Sequence, residues 1–314
     1  MIPANISRHR KLFQILFIGD IYYGYYSSHY EKHFRMMGHK VITVCPTGNI
    51  RVQGVFDFEK NVLPCLKEFN FQPDLVVAAE SPPIYWANYQ TIRKAIKVPL
   101  AFLSFDTALR HREHAVFGSK FDYVFISQQD YLPYFKQHCT APAFWLQYGC
   151  DPEIHTPYPG SEINDIAFAG SAWCCPKLYQ IRIDYLNALK KEFRLEIGEG
   201  FWGKQAAELY SRSKIIFNLA LQNGVNPRIY EALSYGKMLL TNRTTALNAV
   251  FTDGVHLVYY DSLPHLKSLI RYYAKSPALR QKIADQGHYK VWRKHTFYHR
   301  VDQILRRIFG NGIY

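Results

Sequence analysis

At 314 residues the chain has room for two domains of ordinary size, and 48% hydrophobic with 20% charged residues excludes an intrinsically disordered polymer. No apolar run approaches the roughly 18 residues of a membrane span. None of the six cysteines forms a Cys-any-any-Cys pair, so no zinc pattern is present, and a net charge of +13 points toward acidic partners.

The first element is Leu12–Ile18. Arg8–Lys11 before it imitates the start of a signal peptide, but Gln14 interrupts the apolar run. The run ends at Gly19-Asp20 without a small-residue cleavage site, so it reads as a buried strand. Gly19–Gly24 is the turn after it, Tyr26–Met37 a helix stopped by Gly38, and Val41–Cys45 the second strand. Strand, helix, strand at this spacing is a right-handed parallel unit. Tyr22, Tyr23, Tyr25, Tyr26, His29 and Tyr30 cluster after the first strand. Hydroxyl-bearing rings at the carboxyl edge of a sheet suit the apolar face of a sugar, while packing as ordinary core is the competing reading. Tyr85, Trp86 and Tyr89 extend the same aromatic group.

Val52–Asn70 is ambiguous between helix and strand. Then come a strand at Asp74–Ala79, a helix at Ile84–Ile96, strands at Leu100–Ser104 and Tyr123–Ile126, a helix at Gln128–His138 and a strand at Ala143–Leu146. This alternation predicts a doubly wound sheet over residues 1–150, with ligands at the carboxyl ends of its strands. Asp20, Glu80 and Asp106 stand at those ends, with His111 near the last. A carboxylate there can deprotonate an acceptor hydroxyl, or merely cap the next helix.

Three prolines and a glycine make residues 151–164 a linker. A second alternation follows: strand Ile166–Ala169, helix Lys177–Lys191, strand Leu195–Ile197, helix Lys204–Tyr210, strand Ile215–Leu219. Gly170-Ser171 ends the first of these strands and can turn backbone N–H groups toward a diphosphate. Asn218 lies at another strand end. Next is a helix at Pro227–Tyr235 with Asn226 as N-cap, proline at the first helical position and Gly236 as stop. Its unpaired N–H groups and dipole suit an anion, and Arg228 in the first turn adds a full charge. Glu231, three residues on, shares that face and is placed to accept hydrogen bonds from ribose hydroxyls. The dull alternative is a capped helix with a surface Arg–Glu pair.

Strands at Met238–Thr241 and Val255–Tyr259 and a helix at Leu263–Lys275 complete a domain of residues 165–290. From His265 to Tyr314, eleven Lys and Arg stand against Asp285 and Asp302, so this segment carries +9. Its basic helices suit an anionic membrane surface, a polyanionic glycan or nucleic acid, or are simply a solvated face. The last stretch, residues 291–314, is expected to pack back toward the N-terminal domain. No Asp-any-Asp metal motif occurs, Asp57-Phe58-Glu59 being the nearest, and no Gly-Lys-Ser/Thr phosphate loop.

The Asn226-any-Arg228-any-any-Glu231-Ala232 helix with its small-residue-Gly turn resembles the C-terminal half of GT-B glycosyltransferases of the CgeB-like, spore-protein-type branch. Phe251-Thr252-Asp253-Gly254 with Val255–Tyr259, then Ala284–Gly287, then His295-Thr296-Phe297-Tyr298-His299-Arg300 match it in order. So, weakly, does Gly38-His39-Lys40-Val41 in the first domain. The resemblance implies two facing Rossmann-like domains with the active site between them and a helical tail. It implies metal-independent transfer of a sugar from a nucleoside diphosphate to a glycan, glycolipid or protein acceptor, with no cofactor beyond that donor. Gly170, Ser171, Asn218, Asn226, Arg228 and Glu231 would hold the donor and Tyr22, Tyr23, Tyr25 and Tyr26 the acceptor. Asp106, Asp20 and His111 are the candidates for catalysis, Asp106 resembling an aspartate of the family after that strand. Where relatives carry a second glutamate seven residues before Glu231, this chain has Gly224. A DNA-modifying transferase and a non-catalytic sugar- or coat-binding protein on the same scaffold are the alternatives. The expected location is cytoplasmic, peripheral at the inner membrane face if the basic segment binds lipid.

Overall fold

The computed structural model describes residues 11–21, 26–45, 58–80, 89–173, 175–221 and 224–311. The chain divides into two compact units, Met1–Gln147 with Phe297–Tyr314, and Tyr148–Thr296.

The first unit runs β1 (Gln14–Ile18), α1 (Tyr26–Met36), β2 (Lys40–Val44), α2 (Phe58–Asn61), α3 (Leu63–Glu68), β3 (Leu75–Ala79), α4 (Tyr89–Ala95), β4 (Leu100–Ser104), α5 (Thr107–Gly118), β5 (Tyr123–Ile126), α6 (Leu132–His138) and β6 (Ala143–Trp145). Its sheet is parallel throughout, in the order β2-β1-β3-β4-β5-β6. β3 and β4 are buried at every residue, the pattern of a sheet covered on both faces. Alternate residues of β1 feed two separate cores: Leu16 and Ile18 one, Ile15 and Phe17 the other. The chain's last helix, α13 (Phe297–Phe309), closes the second core with Phe297, Val301, Ile304 and Leu305, one stripe at helical spacing.

The ambiguous stretch before β3 is helical over its described part, as α2 and α3. α5 was not foreseen. Its buried positions are Thr107, His114, Ala115, Phe117 and Gly118, with polar groups where an apolar stripe is expected, and it kinks at Arg110 (φ −126°, ψ 18°).

The second unit runs β7 (Asn164–Ala169), α7 (Pro176–Lys190), β8 (Leu195–Gly198), α8 (Gly203–Ser211), β9 (Ser213–Asn218), α9 (Arg228–Ser234), β10 (Met238–Asn242), α10 (Thr245–Asn248), β11 (Val258–Tyr260), α11 (Leu263–Ala274) and α12 (Pro277–Lys294). Its parallel sheet has the order β11-β10-β9-β7-β8. Residues 151–164 pack into this unit. Ser234 Oγ donates to His155 O, and Glu162 pairs with Lys237 at 3.0 Å and Arg280 at 2.7 Å.

Counted within each unit, both sheets place their strands in the order 2-1-3-4-5, with a sixth added in the first. The direction of winding reverses between the first and third strands, β1/β3 and β7/β9. A crevice outside the carboxyl ends of those strands is the ligand position such a sheet provides. Among the described residues no helix is long and apolar enough to cross a membrane.

Candidate functional site

In the second unit the crevice at β7 and β9 is built around Arg228. Its Nε donates to Ala169 O at the end of β7, and Nη1 donates to Asn218 Oδ1 at the end of β9, 2.8 Å away. The guanidinium carbon lies 4.5 Å from the Phe168 ring centroid, a cation–π distance. Asn218 is fully buried, and its Nδ2 donates to Thr241 Oγ1 at 2.8 Å, so its amide oxygen is left to face Arg228. Gly170 makes the approach possible. Its φ is +135°, and a Cβ there would lie 1.8 Å from Arg228 Nη2.

The helix start differs from the sequence expectation. α9 begins at Arg228, Pro227 occupies the cap position with helical backbone angles, and no side chain caps the turn. Asn226 instead turns its Nδ2 onto Asn218 Oδ1 at 2.9 Å, so that one amide oxygen receives both Asn226 and Arg228. A cap needs the asparagine side chain over its own helix; here the buried acceptor at the end of β9 takes it. Gly236 does stop the helix, with φ +69°. Glu231 is half-buried one turn along. It and Arg228 flank Tyr210 of α8, which the sequence did not single out. Burial pushes that phenol's pKa above its ordinary 10.

A second guanidinium was also missed. Arg182 of α7 is 5% exposed. It donates to Ser171 O and, at 3.0 Å, to Leu219 O, so it ties together the loops after β7 and β9. Burial, with the charge of Arg228 next in effect, lowers its pKa to about 10. Among the described residues neither Arg182 nor Arg228 forms an ion pair with a carboxylate. One buried and one half-buried guanidinium on neutral acceptors place positive charge in this crevice.

The backbone donors of the Gly170-Ser171 turn are largely engaged. Gly170 N–H bonds Gly198 O at 3.0 Å, while Ala172 N–H (3.0 Å) and Trp173 N–H (3.2 Å) bond the Glu199 carboxylate. Glu199 belongs to Gly198-Glu199-Gly200-Phe201-Trp202-Gly203, which has the spacing of a dinucleotide-binding loop between β8 and α8, a signal open to sequence inspection. Its glycines serve local packing. Gly200 and Gly203 have φ of +68° and +55°, and a Cβ on Gly198 would strike the Phe201 ring at 2.4 Å.

The downstream motifs support α9. Tyr230 of α9 packs against Phe251 (5.7 Å between centroids) and His295 (5.7 Å). Asp253 pairs with Arg243 at 2.9 Å and accepts the Tyr259 N–H at 3.0 Å, with Gly254 turning at φ +69°. Gly287 lets α12 approach the His256 carbonyl, which a Cβ would meet at 2.4 Å.

In the first unit the carboxyl edge is acidic. Glu80, just past β3, accepts the Phe105 N–H at 2.6 Å and the Asp106 N–H at 2.7 Å on Oε2. Its Oε1 lies 3.6 Å from both Arg110 Nη1 and His114 Nε2. Burial and then the nearby Asp106 carboxylate raise the Glu80 pKa to about 7. Asp106 is exposed, and desolvation of its carboxyl raises its pKa against the pull of Arg110. Asp20 is buried at the end of β1, with Cys45 Sγ 3.5 Å from its Oδ1. His111 faces away from the carboxylates' hydrogen bonds; it packs on Tyr131 and Tyr134, each 4.8 Å between centroids. Tyr26 lies 6.0 Å from Phe105 and 6.3 Å from His29. Tyr22, Tyr23, Tyr25, Tyr85, Trp86 and Asp57 lie outside the described residues.

Residues 161–306 match the family described as glycosyl transferase-like. Solved structures share the fold across nearly the whole chain. A glycosyltransferase from Rickettsia africae gives a TM-score of 0.66 at 12% identity, covering 96% of this chain and 99% of that one. HepE of Anabaena in complex with UDP and glucose gives 0.64 at 12% identity, covering 94% and 99%. Sucrose-phosphate synthase of Thermosynechococcus elongatus gives 0.63 at 10% identity, covering 95% and 99%. The fold is that of GT-B glycosyltransferases. No curated protein matches the sequence.

Proposed function

We propose that this chain transfers a sugar from a nucleoside diphosphate to the hydroxyl of a polar acceptor such as a glycan, with the donor in the crevice at β7 and β9. The observation that carries the reading is Arg228, drawn by Ala169 and Asn218 to the point where the second sheet reverses its winding. A structural ion pair would seat its guanidinium on a carboxylate; this one sits on neutral oxygens, and the second arginine, Arg182, is buried behind it on neutral oxygens too. An entering diphosphate supplies the missing negative charge, and the same charges stabilise it as it leaves. HepE, a protein of the same fold, is known in complex with UDP and with UDP-glucose, which makes UDP the first donor nucleotide to try.

Glu231 is assigned to the ribose hydroxyls, as an acceptor one turn beyond the phosphate position. The first unit holds the acceptor and supplies the group that takes its proton. Titration calorimetry with UDP tests the donor half. Glu231→Ala is expected to weaken binding at least tenfold, about 1.4 kcal/mol. Equal affinities for the two proteins would remove Glu231 from the site.

A further inference from the structure

The first unit contains a buried polar chain at the turn from β4 to α5. His114 of α5 is 1% exposed. Its Nδ1 lies 2.8 Å from Ser104 Oγ, which lies 2.8 Å from Thr107 Oγ1. Thr107 in turn donates to Ser104 O at 3.0 Å, and Ser127 Oγ donates to Phe105 O.

The hydroxyl protons along this chain are coupled to the tautomer of the imidazole. Each hydroxyl has one proton to give. Of the two arrangements open to these hydroxyls, the one proposed puts the Thr107 proton on the Ser104 carbonyl, so that Ser104 supplies the proton of the Ser104–Thr107 bond. In that arrangement Ser104 has none left for His114, and Nδ1 is the N–H that donates to Ser104 Oγ. That leaves Nε2 as a bare lone pair. Nε2 is buried, has no hydrogen-bond partner, and lies 3.6 Å from Glu80 Oε1. No water fits in 3.6 Å. A bare nitrogen facing an ionised oxygen is repulsive, whereas a proton between them is attractive.

Glu80 is held so that only one of its oxygens is available to that proton. Oε2 is committed to the Phe105 and Asp106 N–H groups. Oε1 faces His114, with Arg110 Nη1 also at 3.6 Å. The charged and titratable groups that face Glu80 are Asp106, Arg110 and His114. His111 and Glu113 act on His114 in addition.

We propose that Glu80 and His114 share a single proton and that Glu80, with His114 behind it, is the acid–base centre that takes the proton of the acceptor hydroxyl. This rests on the transferase reading above. In the step, the acceptor oxygen bonds to the sugar's anomeric carbon. The bond from that carbon to the diphosphate oxygen breaks, and its electron pair leaves on the diphosphate. The acceptor's proton passes to Glu80 Oε1, where the His114 lone pair accepts a hydrogen bond from it. Asp106 stays beside it as the exposed carboxylate whose charge helps Glu80 keep the proton. Two features agree with this. Glu80 titrates at about 7, and burial lowers the His114 pKa to about 3, so the imidazole alone never competes for the charge. A base poised near the working pH is what general-base transfer favours.

The test uses the full chain with glutamate labelled at the carboxyl carbon, followed by carbon NMR against pH, and UDP release from UDP-glucose with water as acceptor. One carboxyl is expected to titrate near 7 and to vanish in Glu80→Gln. His114→Phe keeps a ring but no lone pair, and is expected to lower that midpoint by about one unit, tenfold in proton affinity. UDP release by the parent protein should rise with pH up to about 7 and then level. Glu80→Gln should fall at least a hundredfold while UDP affinity is unchanged. The glutamine oxygen can still accept the Phe105 and Asp106 N–H groups, so a merely structural role predicts no such loss. His114→Phe should move the rise to lower pH rather than abolish release. A Glu80 midpoint near the ordinary 4.5, or full activity in Glu80→Gln, overturns the proposal. Absence of any UDP binding would instead sink the donor reading, leaving the shared proton to be decided by the titration.

Discussion

The two units lay their strands in one order yet line the resulting crevices with opposite chemistry. At β1/β3 the first sheet presents Asp20 and Glu80, with Asp106 next to them after β4 and an imidazole buried behind Glu80. At β7/β9 the second presents Arg228 and Arg182 on carbonyl and amide oxygens. Topology supplies the place and the side chains supply the task. In the proposed reading, a crevice of partly neutralised carboxylates handles protons, and a crevice of guanidiniums seated on neutral oxygens handles phosphate. Neither could do the other's work: carboxylates repel a diphosphate, and a guanidinium does not give up its proton near neutral pH.

The largest expected effect tests the cationic side of that contrast. Arg228→Met keeps a long side chain over Phe168 and removes the charge; UDP affinity should drop about a hundredfold, about 2.7 kcal/mol, since a diphosphate loses charge-assisted hydrogen bonds. Asp106→Asn, in the other unit, should leave UDP affinity within about twofold. If Asp106→Asn weakens UDP as much as Arg228→Met does, the division of labour is wrong. Gly170→Ala should cost somewhat less. It strains a backbone at φ +135° and drives Arg228 Nη2 from its seat, and about tenfold weaker UDP binding is expected. Placed on top of Arg228→Met, the same alanine should add little, because the group it displaces is already gone. An undiminished effect in that background would mean that Gly170 acts through the backbone alone.

The contrast was half visible in the sequence. Apolar runs such as Leu75–Ala79 and Leu100–Ser104 announced buried parallel strands, and Arg228 and Glu231 stood out because a proline, a turn and a glycine framed their helix. The cap role given to Asn226 was wrong, because a single-sequence reading sees the helix it precedes and not the Asn218 oxygen eight residues back that takes its side chain. Arg182 was illegible for a related reason. On its own helix it is one more basic residue, and only the fold brings Ser171 and Leu219 to it. α5 was missed because its inward face carries Thr107 and His114 rather than leucines, so the hydrophobic period is absent from the helix that carries the Glu80 partner. Buried polar groups erase the pattern by which a helix is recognised.

The smallest expected effect concerns the basic segment, and it asks whether local placement or total charge makes the second unit attract anions. Much of that segment's charge is already engaged. Lys267 and Arg271 pair with Glu192, Arg280 with Glu162 and Arg306 with Asp302, while Arg300 is buried. Lys282, Lys290 and Lys294 remain on one side of α12 by helical spacing, without ion pairs among the described residues. Such a row binds duplex DNA or anionic vesicles at low salt, and each lysine is worth about 1 kcal/mol at a lipid surface before screening. Screening over about 8 Å at physiological salt removes most of it. Lys282→Gln with Lys294→Gln should therefore weaken binding to phosphatidylserine vesicles or duplex DNA several-fold at low salt, with little difference at physiological salt. UDP affinity should stay within about twofold at physiological salt, since exposed charges are screened there over about 8 Å. If instead the two glutamines weaken UDP as strongly as Arg228→Met does, donor binding follows the summed field of the unit, and the seat of Arg228 on Ala169 and Asn218 has no special part in it.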